Sequence, residues 1–287
     1  MKKGILITNP LSGSYNDKKI NKIVKELQKS GLDILRYDLE KDEKISSVIS
    51  NIDSNDIQHI ILAFGDGTIN SACNALMNRD DYNKFIISVL PMGTANILAM
   101  ELNCDTIKKS IKAIKNNNIT KIHIAKINDK YFTLMASTGF DSWTVRNINE
   151  DLKKRIGKLA YIYEFLKIVA KRNFKRIITN VNGEIIENIL TCASNGKYYG
   201  IKIPVTHSKL SKNLFDVVVI KKFSLLSALQ YMITKKTNKD IVYLQSNKVV
   251  ISSDVQDYPV QIDGDYCCDL PIVVEATDRF LNFTVCG

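Results

Sequence analysis

Three histidines, His59, His123 and His207, are all that the chain has, and they lie far apart. A zinc centre or a serine–histidine triad therefore lacks its material. The six cysteines, Cys73, Cys104, Cys192, Cys267, Cys268 and Cys286, form no C-x-x-C pair. Their mostly apolar contexts predict buried free thiols in a reducing compartment. No hydrophobic run approaches the length of a transmembrane helix. Met1-Lys2-Lys3 before an apolar stretch has the order of a signal peptide, but the run stops at Asn9-Pro10. That is too soon for a secretory core, and it reads as a first strand. Internal repeats and low-complexity tracts are missing, and Asn116-Asn117-Asn118 is a polar turn. No RNA-binding or zinc-finger signature accompanies the basic residues, so nucleic acid is not the expected partner. The expectation is a cytoplasmic protein, or one peripheral at the inner membrane face.

What is present is ordinary globular material: 287 residues, 45% hydrophobic and 24% charged. That length accommodates two domains, each with a core. The net charge of +10 suggests an anionic partner or a well-solvated surface. Basic residues concentrate at Lys153-Lys154-Arg155, Lys158, Lys167, Lys171-Arg172 and Lys175-Arg176, around the apolar segment Leu159 to Ala170. A helix of that kind could lie on anionic lipid, or be a core helix with solvated ends.

The first part alternates apolar strands with amphipathic helices. Strands are expected at Gly4–Thr8, Leu32–Tyr37, His59–Phe64 and Phe85–Leu90, and helices at Lys18–Lys29, Asn70–Asn78 and Asn96–Leu102. This alternation predicts a Rossmann-like, mostly parallel α/β sheet covered on both faces. From about Ile122 short strands take over, at 122–127, 131–137, 176–181, 185–193, 215–220, 248–252, 260–262 and 271–276. Turn signals at Asn128-Asp129, Asn182-Gly183 and Asp263-Gly264 separate several of them. The expected division is an α/β domain over residues 1–121 and an antiparallel β domain over residues 122–276, interrupted by the basic helix. A sheet edge in the second domain could pair with another copy or stay capped, so oligomeric state is open.

Three glycine-containing loops follow strands of the first domain: Asn9-Pro10-Leu11-Ser12-Gly13, Gly65-Asp66-Gly67-Thr68, and Pro91-Met92-Gly93-Thr94-Ala95-Asn96. In an open parallel sheet such loops gather at the carboxyl edge. Together they offer backbone N–H groups, the Ser12, Thr68 and Thr94 hydroxyls and one carboxylate. Gly65-Asp66-Gly67-Thr68 joins a buried strand to a helix start, where free N–H groups and the helix dipole favour a phosphate. Asp66 could hold Mg²⁺ against that phosphate.

These loops resemble the N-P-x-S-G, G-G-D-G-T-x-N and P-x-G-T-x-N signatures of the diacylglycerol kinase catalytic family, in its bacterial lipid kinase branch. The likeness continues in order through Ser137-Thr138-Gly139-Phe140-Asp141, Gly157-Lys158 with Tyr161, Asn195 to Gly200, Leu214-Phe215-Asp216-Val217 and Asp263-Gly264-Asp265. The resemblance implies two domains with ATP in the intervening cleft, a β-sandwich as the second, and a last strand near Phe280–Val285 returning to the first (residues 277–287). It implies that Asn9, Ser12, Gly13, Gly65, Asp66, Gly67, Thr68, Asn70, Gly93 and Thr94 bind ATP, that Asp66 serves Mg²⁺ and catalysis, and that Asp265 is the proton acceptor. The implied partner is a membrane lipid, diacylglycerol by default, at an anionic surface.

The chain also departs from the family pattern. Phe64 stands for the first Gly of G-G-D-G-T, making that side of the loop bulkier, and Ser71 for a Glu. Asp265 is one methylene shorter than the family's Glu. In Lys209-Leu210-Ser211-Lys212-Asn213-Leu214, Ser211 and Lys212 occupy the positions of two acids that hold a structural Mg²⁺ in some members. No metal is therefore expected at that turn, with the Lys212 ammonium in its place. Two alternatives stand beside the lipid kinase. One is NAD kinase, which shares the Gly-Gly-Asp-Gly-Thr loop. The other is a non-catalytic member that binds nucleotide or anionic lipid.

Overall fold

The computed structural model describes residues 3–148, 158–171, 174–199, 203–207, 209–210 and 212–287. It divides into two compact units, Met1–Ile122 with Arg279–Gly287, and His123–Asp278.

The first unit runs β1 (Lys3–Thr8), α1 (Asp17–Gln28), β2 (Asp33–Asp38), α2 (Ile45–Ser50), β3 (His59–Phe64), α3 (Asp66–Met77), β4 (Ile86–Pro91), α4 (Ile97–Glu101) and α5 (Ile107–Asn116). Its strands are parallel in the order β2-β1-β3-β4. Helix α1 starts where Asn16 Oδ1 accepts the Lys19 N–H at 2.9 Å, and it buries Ile20, Ile23 and Leu27. Those residues meet Leu6, Ile34, Ile61 and Leu90 of the sheet in one core. Each buried Leu or Ile there contributes about 1.5–3 kcal/mol. Strand β3 is buried throughout, as a central parallel strand should be. His59 is a satisfied core histidine, its Nε2 lying 2.7 Å from Ser88 Oγ.

The second unit begins within β5 (Ile119–Ile127). It continues with β6 (Lys130–Phe132), β7 (Met135–Gly139), α6 (Phe140–Asn147), α7 (Lys158–Lys171), β8 (Ile177–Val181), β9 (Glu184–Asn188), β10 (Leu190–Ser194), β11 (Tyr198–Tyr199) and β12 (Ile203–Pro204). Then come β13 (Phe215–Ile220), α8 (Leu225–Thr234), β14 (Ile241–Ser246), β15 (Lys248–Ser252), β16 (Pro259–Ile262), β17 (Asp265–Asp269) and β18 (Ile272–Thr284). One antiparallel sheet has the order β14-β13-β10-β7-β16-β17. Opposite it, β8, β9, β15 and the first part of β18 form another. Phe215, Val217 and Val260 of the first sheet pack with Ile177, Val249 and Val274 of the second. This is a β-sandwich. The end of β18 belongs to the first unit, where Asn282 and Phe283 pair in parallel with β4.

The expected fold class, parallel α/β plus antiparallel β-sandwich, is the one observed, but several elements differ. Helix α3 begins at Asp66, not Asn70, so Asp66-Gly67-Thr68 is its first turn rather than a preceding loop. The expected strand over 185–193 is two strands broken at Ile189, and that over 131–137 is two strands broken at 133–134. Helices α2, α5, α6 and α8 and strand β14 had not been expected. In α5, Ile107, Ile111 and Ile114 alternate with lysines at helical spacing, and Thr106 caps the start, accepting the Lys109 N–H at 3.3 Å. No disulfide joins the six cysteines, of which five are buried and Cys268 is half-buried. Burial pushes the Cys104 thiol up to about 11.

Candidate active site

Strands β1, β3 and β4 are neighbours, so the three loops at their carboxyl ends lie together in the first unit. Direct bonds join them. Ser14 O–H donates to the Met92 carbonyl at 2.6 Å, tying the first loop to the third. Asp66 ties the second to the third, its Oδ2 accepting the Ile97 N–H at 3.1 Å and its Oδ1 the Leu98 N–H at 3.0 Å. The carboxylate thus caps helix α4 from helix α3. Within the third loop, Asn96 adopts a left-handed φ of 54° and brackets Gly93, accepting its N–H and donating to its carbonyl, both at 2.8 Å. In the first loop, Asn9 Oδ1 accepts the Leu11 N–H at 2.8 Å.

The cap of α3 is Gly65, which has no side chain to satisfy the helix. The first intrahelical bond is donated by Ile69 to the Gly65 carbonyl. The amides of Asp66, Gly67 and Thr68 therefore have no acceptor within the helix, and they form a cradle for an anion. Ser12, Gly13 and Thr94 are exposed, and Gly65 to Thr68 half-buried. Asn70 sits one turn further in, buried, its Oδ1 3.4 Å from Asn74 Nδ2. The Phe64 ring, expected to thicken the loop, is instead buried at the end of β3.

A carboxylate offers about four lone-pair sites, and backbone amides take two at Asp66. Among the described residues no cluster of three or more His, Cys, Asp or Glu gathers to hold a metal ion. One carboxylate with neighbouring hydroxyls suits Mg²⁺ arriving on phosphates and keeping several waters, not a cage built from protein alone.

In the second unit, Asp263 and Gly264 both take positive φ, 49° and 93°, turning β16 into β17 with Ile262 opposite Asp265. The two acids of this turn differ completely. The Asp263 carboxyl accepts the Thr133 N–H and O–H at 3.0 and 2.8 Å, the Leu134 N–H at 2.9 Å and the Met135 N–H at 2.8 Å. Its enclosure pushes its pKa up to about 6, the donated bonds opposing. Asp265 is exposed at the first position of β17.

The turn is anchored from beneath. Gly264 N–H donates to Gln261 Oε1 at 2.8 Å, and Gln261 Nε2–H donates to Ser137 Oγ. Ser137 O–H donates to the buried Asp141 carboxyl, which also accepts the Tyr199 O–H. Burial raises the pKa of Asp141. Segments far apart in the chain, Ser137–Asp141, Tyr199 and Asp263–Asp265, are thereby one network. Gln261 was missed by sequence reading; its only signal is an amide between Val260 and Ile262 in an apolar strand. Asp216 is buried too, accepting the Tyr243 O–H at 2.6 Å and Gln245 Nε2–H at 2.8 Å.

Other expected features divide. Lys212 is exposed, and the Leu210 carbonyl accepts the His123 N–H at 2.6 Å. Ser211, Gly157, Gly200, Lys153, Lys154, Arg155 and Arg172 lie outside the described residues, and so does the Tyr161 side chain. Helix α7 is partly a core helix, since Phe165 and Ile168 pack against Phe140 and Leu190. Beside it a cavity of about 370 Å³ is lined by Phe140, Trp143, Ile168 and Tyr258, with Lys167 and Lys171. Among the described residues no helix is long and apolar enough to cross a membrane.

Comparison with known proteins is consistent along the chain. Residues 3–127 match the diacylglycerol kinase catalytic domain. Residues 135–285 match the YegS C-terminal NAD kinase beta sandwich-like domain. A diacylglycerol kinase of Staphylococcus carnosus is 24% identical over 281 residues, 94% of this chain and 90% of that protein. One from Bacillus subtilis is 23% identical over 282 residues, 94% and 92% of the two chains. A crystal structure of a diacylglycerol kinase from Bacillus anthracis superimposes with a TM-score of 0.74 at 18% identity, covering 99% and 96% of the two chains.

Proposed function

The chain belongs to the diacylglycerol kinase catalytic family and is a lipid kinase, and from that premise we propose that it transfers the γ-phosphate of ATP to a lipid hydroxyl, with diacylglycerol as acceptor. The observation that carries the donor side is the tied group of three loops around the uncapped amides of α3. Those amides receive phosphate oxygens, with the Ser12, Thr68 and Thr94 hydroxyls as further donors and Asn9, Gly13 and Gly93 shaping the loops. Asp66 keeps lone pairs that would hold Mg²⁺ arriving with ATP, and the ion would offset the charge of the phosphates.

On the acceptor side, Asp265 takes the proton from the lipid hydroxyl. The hydroxyl oxygen bonds to the γ-phosphorus as the bond to the bridging oxygen breaks, leaving ADP and a lipid phosphate. An exposed carboxylate at the strand end that follows a two-residue turn suits this role; the enclosed Asp263 holds the turn. Protein attraction to an anionic membrane surface follows from the net charge of +10.

ATP consumption in the presence of diacylglycerol micelles tests the proposal. Lipid-dependent turnover by the wild type, lost in Asp66→Ala and in Asp265→Asn, supports it. Turnover with NAD in place of lipid would refute it, and so would nucleotide binding with no turnover on any lipid.

A further inference from the structure

Helix α8 is amphipathic in the reverse sense. Its polar Ser227 and Tyr231 are 2% and 4% exposed, whereas Leu225, Leu226, Leu229 and Ile233 are 77%, 74%, 60% and 75% exposed. At about 100° per residue these four span an arc of about 100°, the width that an ordinary helix turns to the core. The orientation is fixed by polar bonds on the inward side. Ser227 O–H donates to the Asp240 carboxylate, Tyr231 O–H to the Val205 carbonyl, and Asn238 Nδ2–H to the Ser227 carbonyl at 2.9 Å. The Tyr231 ring packs on Val218 and Ile241. Rolling the helix to hide its leucines would leave these buried groups unpaired.

The surrounding charge has one sign. Between Asp216 and Asp240 the chain has no acidic residue and five lysines, Lys221, Lys222, Lys235, Lys236 and Lys239. Lys221 and Lys222 are exposed before the helix, and Lys236 and Lys239 after it. Ammonium groups at both ends of an apolar arc complement a negatively charged surface and repel a second copy of the same face. Helix α7 presents a second exposed stripe, Leu159, Tyr163 and Leu166, at 60%, 59% and 58%. Its Phe165 packs in the same cluster as Phe223, just before α8.

We propose that α8 seats Leu225, Leu226, Leu229 and Ile233 in the interfacial layer of a bilayer rich in anionic phospholipid, with the flanking lysines on the headgroups. This docking delivers the chain to a membrane-borne acceptor; that purpose rests on the phosphotransfer proposed above, the docking itself does not.

The test is co-sedimentation of the full chain with vesicles of phosphatidylglycerol or of phosphatidylcholine, without ATP or diacylglycerol. Wild type is compared with Leu226→Glu/Leu229→Glu and with Lys221→Gln/Lys222→Gln. All four side chains are exposed, so an unchanged thermal midpoint is the folding control. The wild type should bind phosphatidylglycerol, at least about tenfold less phosphatidylcholine, and the double-glutamate variant should bind phosphatidylglycerol at least about tenfold less than wild type. The lysine variant should lose affinity and salt sensitivity. Equal binding by wild type and the double-glutamate variant, or no binding by the wild type, would overturn the proposal. A wild-type dimer that the glutamates dissolve would overturn it as well, assigning the face to a second copy. Turnover on a short-chain, water-soluble diacylglycerol is measured in parallel: its absence in the wild type refutes the phosphotransfer and leaves the docking standing.

Discussion

Gly65 and Gly93 meet backbone to backbone: a β-carbon on Gly93 would lie 2.3 Å from the Gly65 α-carbon and 2.9 Å from Asn96 Oδ1. Both neighbours are held, one as the cap of α3 and the other by its bonds to Gly93. The second and third loops are therefore pressed together without room for a methyl group. Gly93→Ala should cost about 1–3 kcal/mol and weaken ATP binding, because the loops must part. Gly13, with no neighbour within 4 Å of a β-carbon, is the control, and Gly13→Ala should leave stability unchanged. Thermal unfolding and titration calorimetry with ATP read both.

Asp66 carries a structural duty beside its proposed catalytic one. Asp66→Ala leaves the Ile97 and Leu98 amides without their acceptor, which should cost about 1–3 kcal/mol. Asp66→Asn keeps one oxygen and should recover part of that stability without recovering turnover. Urea unfolding beside lipid-kinase assays separates the two roles. A variant with full stability and no activity would show the caps to be dispensable.

The two acids of the β16–β17 turn should part under mutation. Asp265→Asn should lower turnover about 10²- to 10⁴-fold, the usual range for a lost general base, with the thermal midpoint unchanged. Asp263→Ala should lower the midpoint by undoing bonds to Thr133, Leu134 and Met135.

Asp263 also predicts a pH dependence. Its folded pKa, about 6, lies above the roughly 3.9 of an unfolded Asp, so the folded state binds the proton more tightly. The stability this contributes is complete below the unfolded value and is lost as pH rises through about 6. In Asp263→Asn the fall between pH 4 and 6 should flatten, a difference that thermal midpoints across that range would detect.

Thiol reactivity should be selective. The neighbouring Cys267 thiol lowers the pKa of Cys268, whereas burial pushes Cys192 up. The thiolate is the nucleophile, so brief alkylation of the folded protein should label Cys268 first, faster as pH rises, with Cys192 spared until unfolding. Peptide mass spectrometry decides it.

Much of this was legible in the sequence where the signal is local. The unbroken apolar run Ile60 to Phe64 ending at Gly65 marks a central strand, and a helix does start directly after it. The four-residue error at the start of α3 arose because Asp66-Gly67-Thr68 reads equally as a turn or as a first helical turn. Nothing local distinguishes Asp263 from Asp265; only the arrival of Thr133, Leu134 and Met135 makes one an anchor. Helix α8 shows the other limit. Leu225, Leu226, Leu229 and Ile233 look like core residues until the bonds of Ser227 and Tyr231 turn them outward.

Transfer of a phosphoryl group to a lipid is read by following the label itself. ATP radiolabelled at its γ-phosphate is incubated with diacylglycerol micelles and wild-type protein or Asp265→Asn, and the lipids are resolved by chromatography. Labelled phosphatidic acid is expected from the wild type, with a loss of about 10²-fold or more in the variant. Label that enters no lipid, or that accumulates equally with Asp265→Asn, would contradict that expectation.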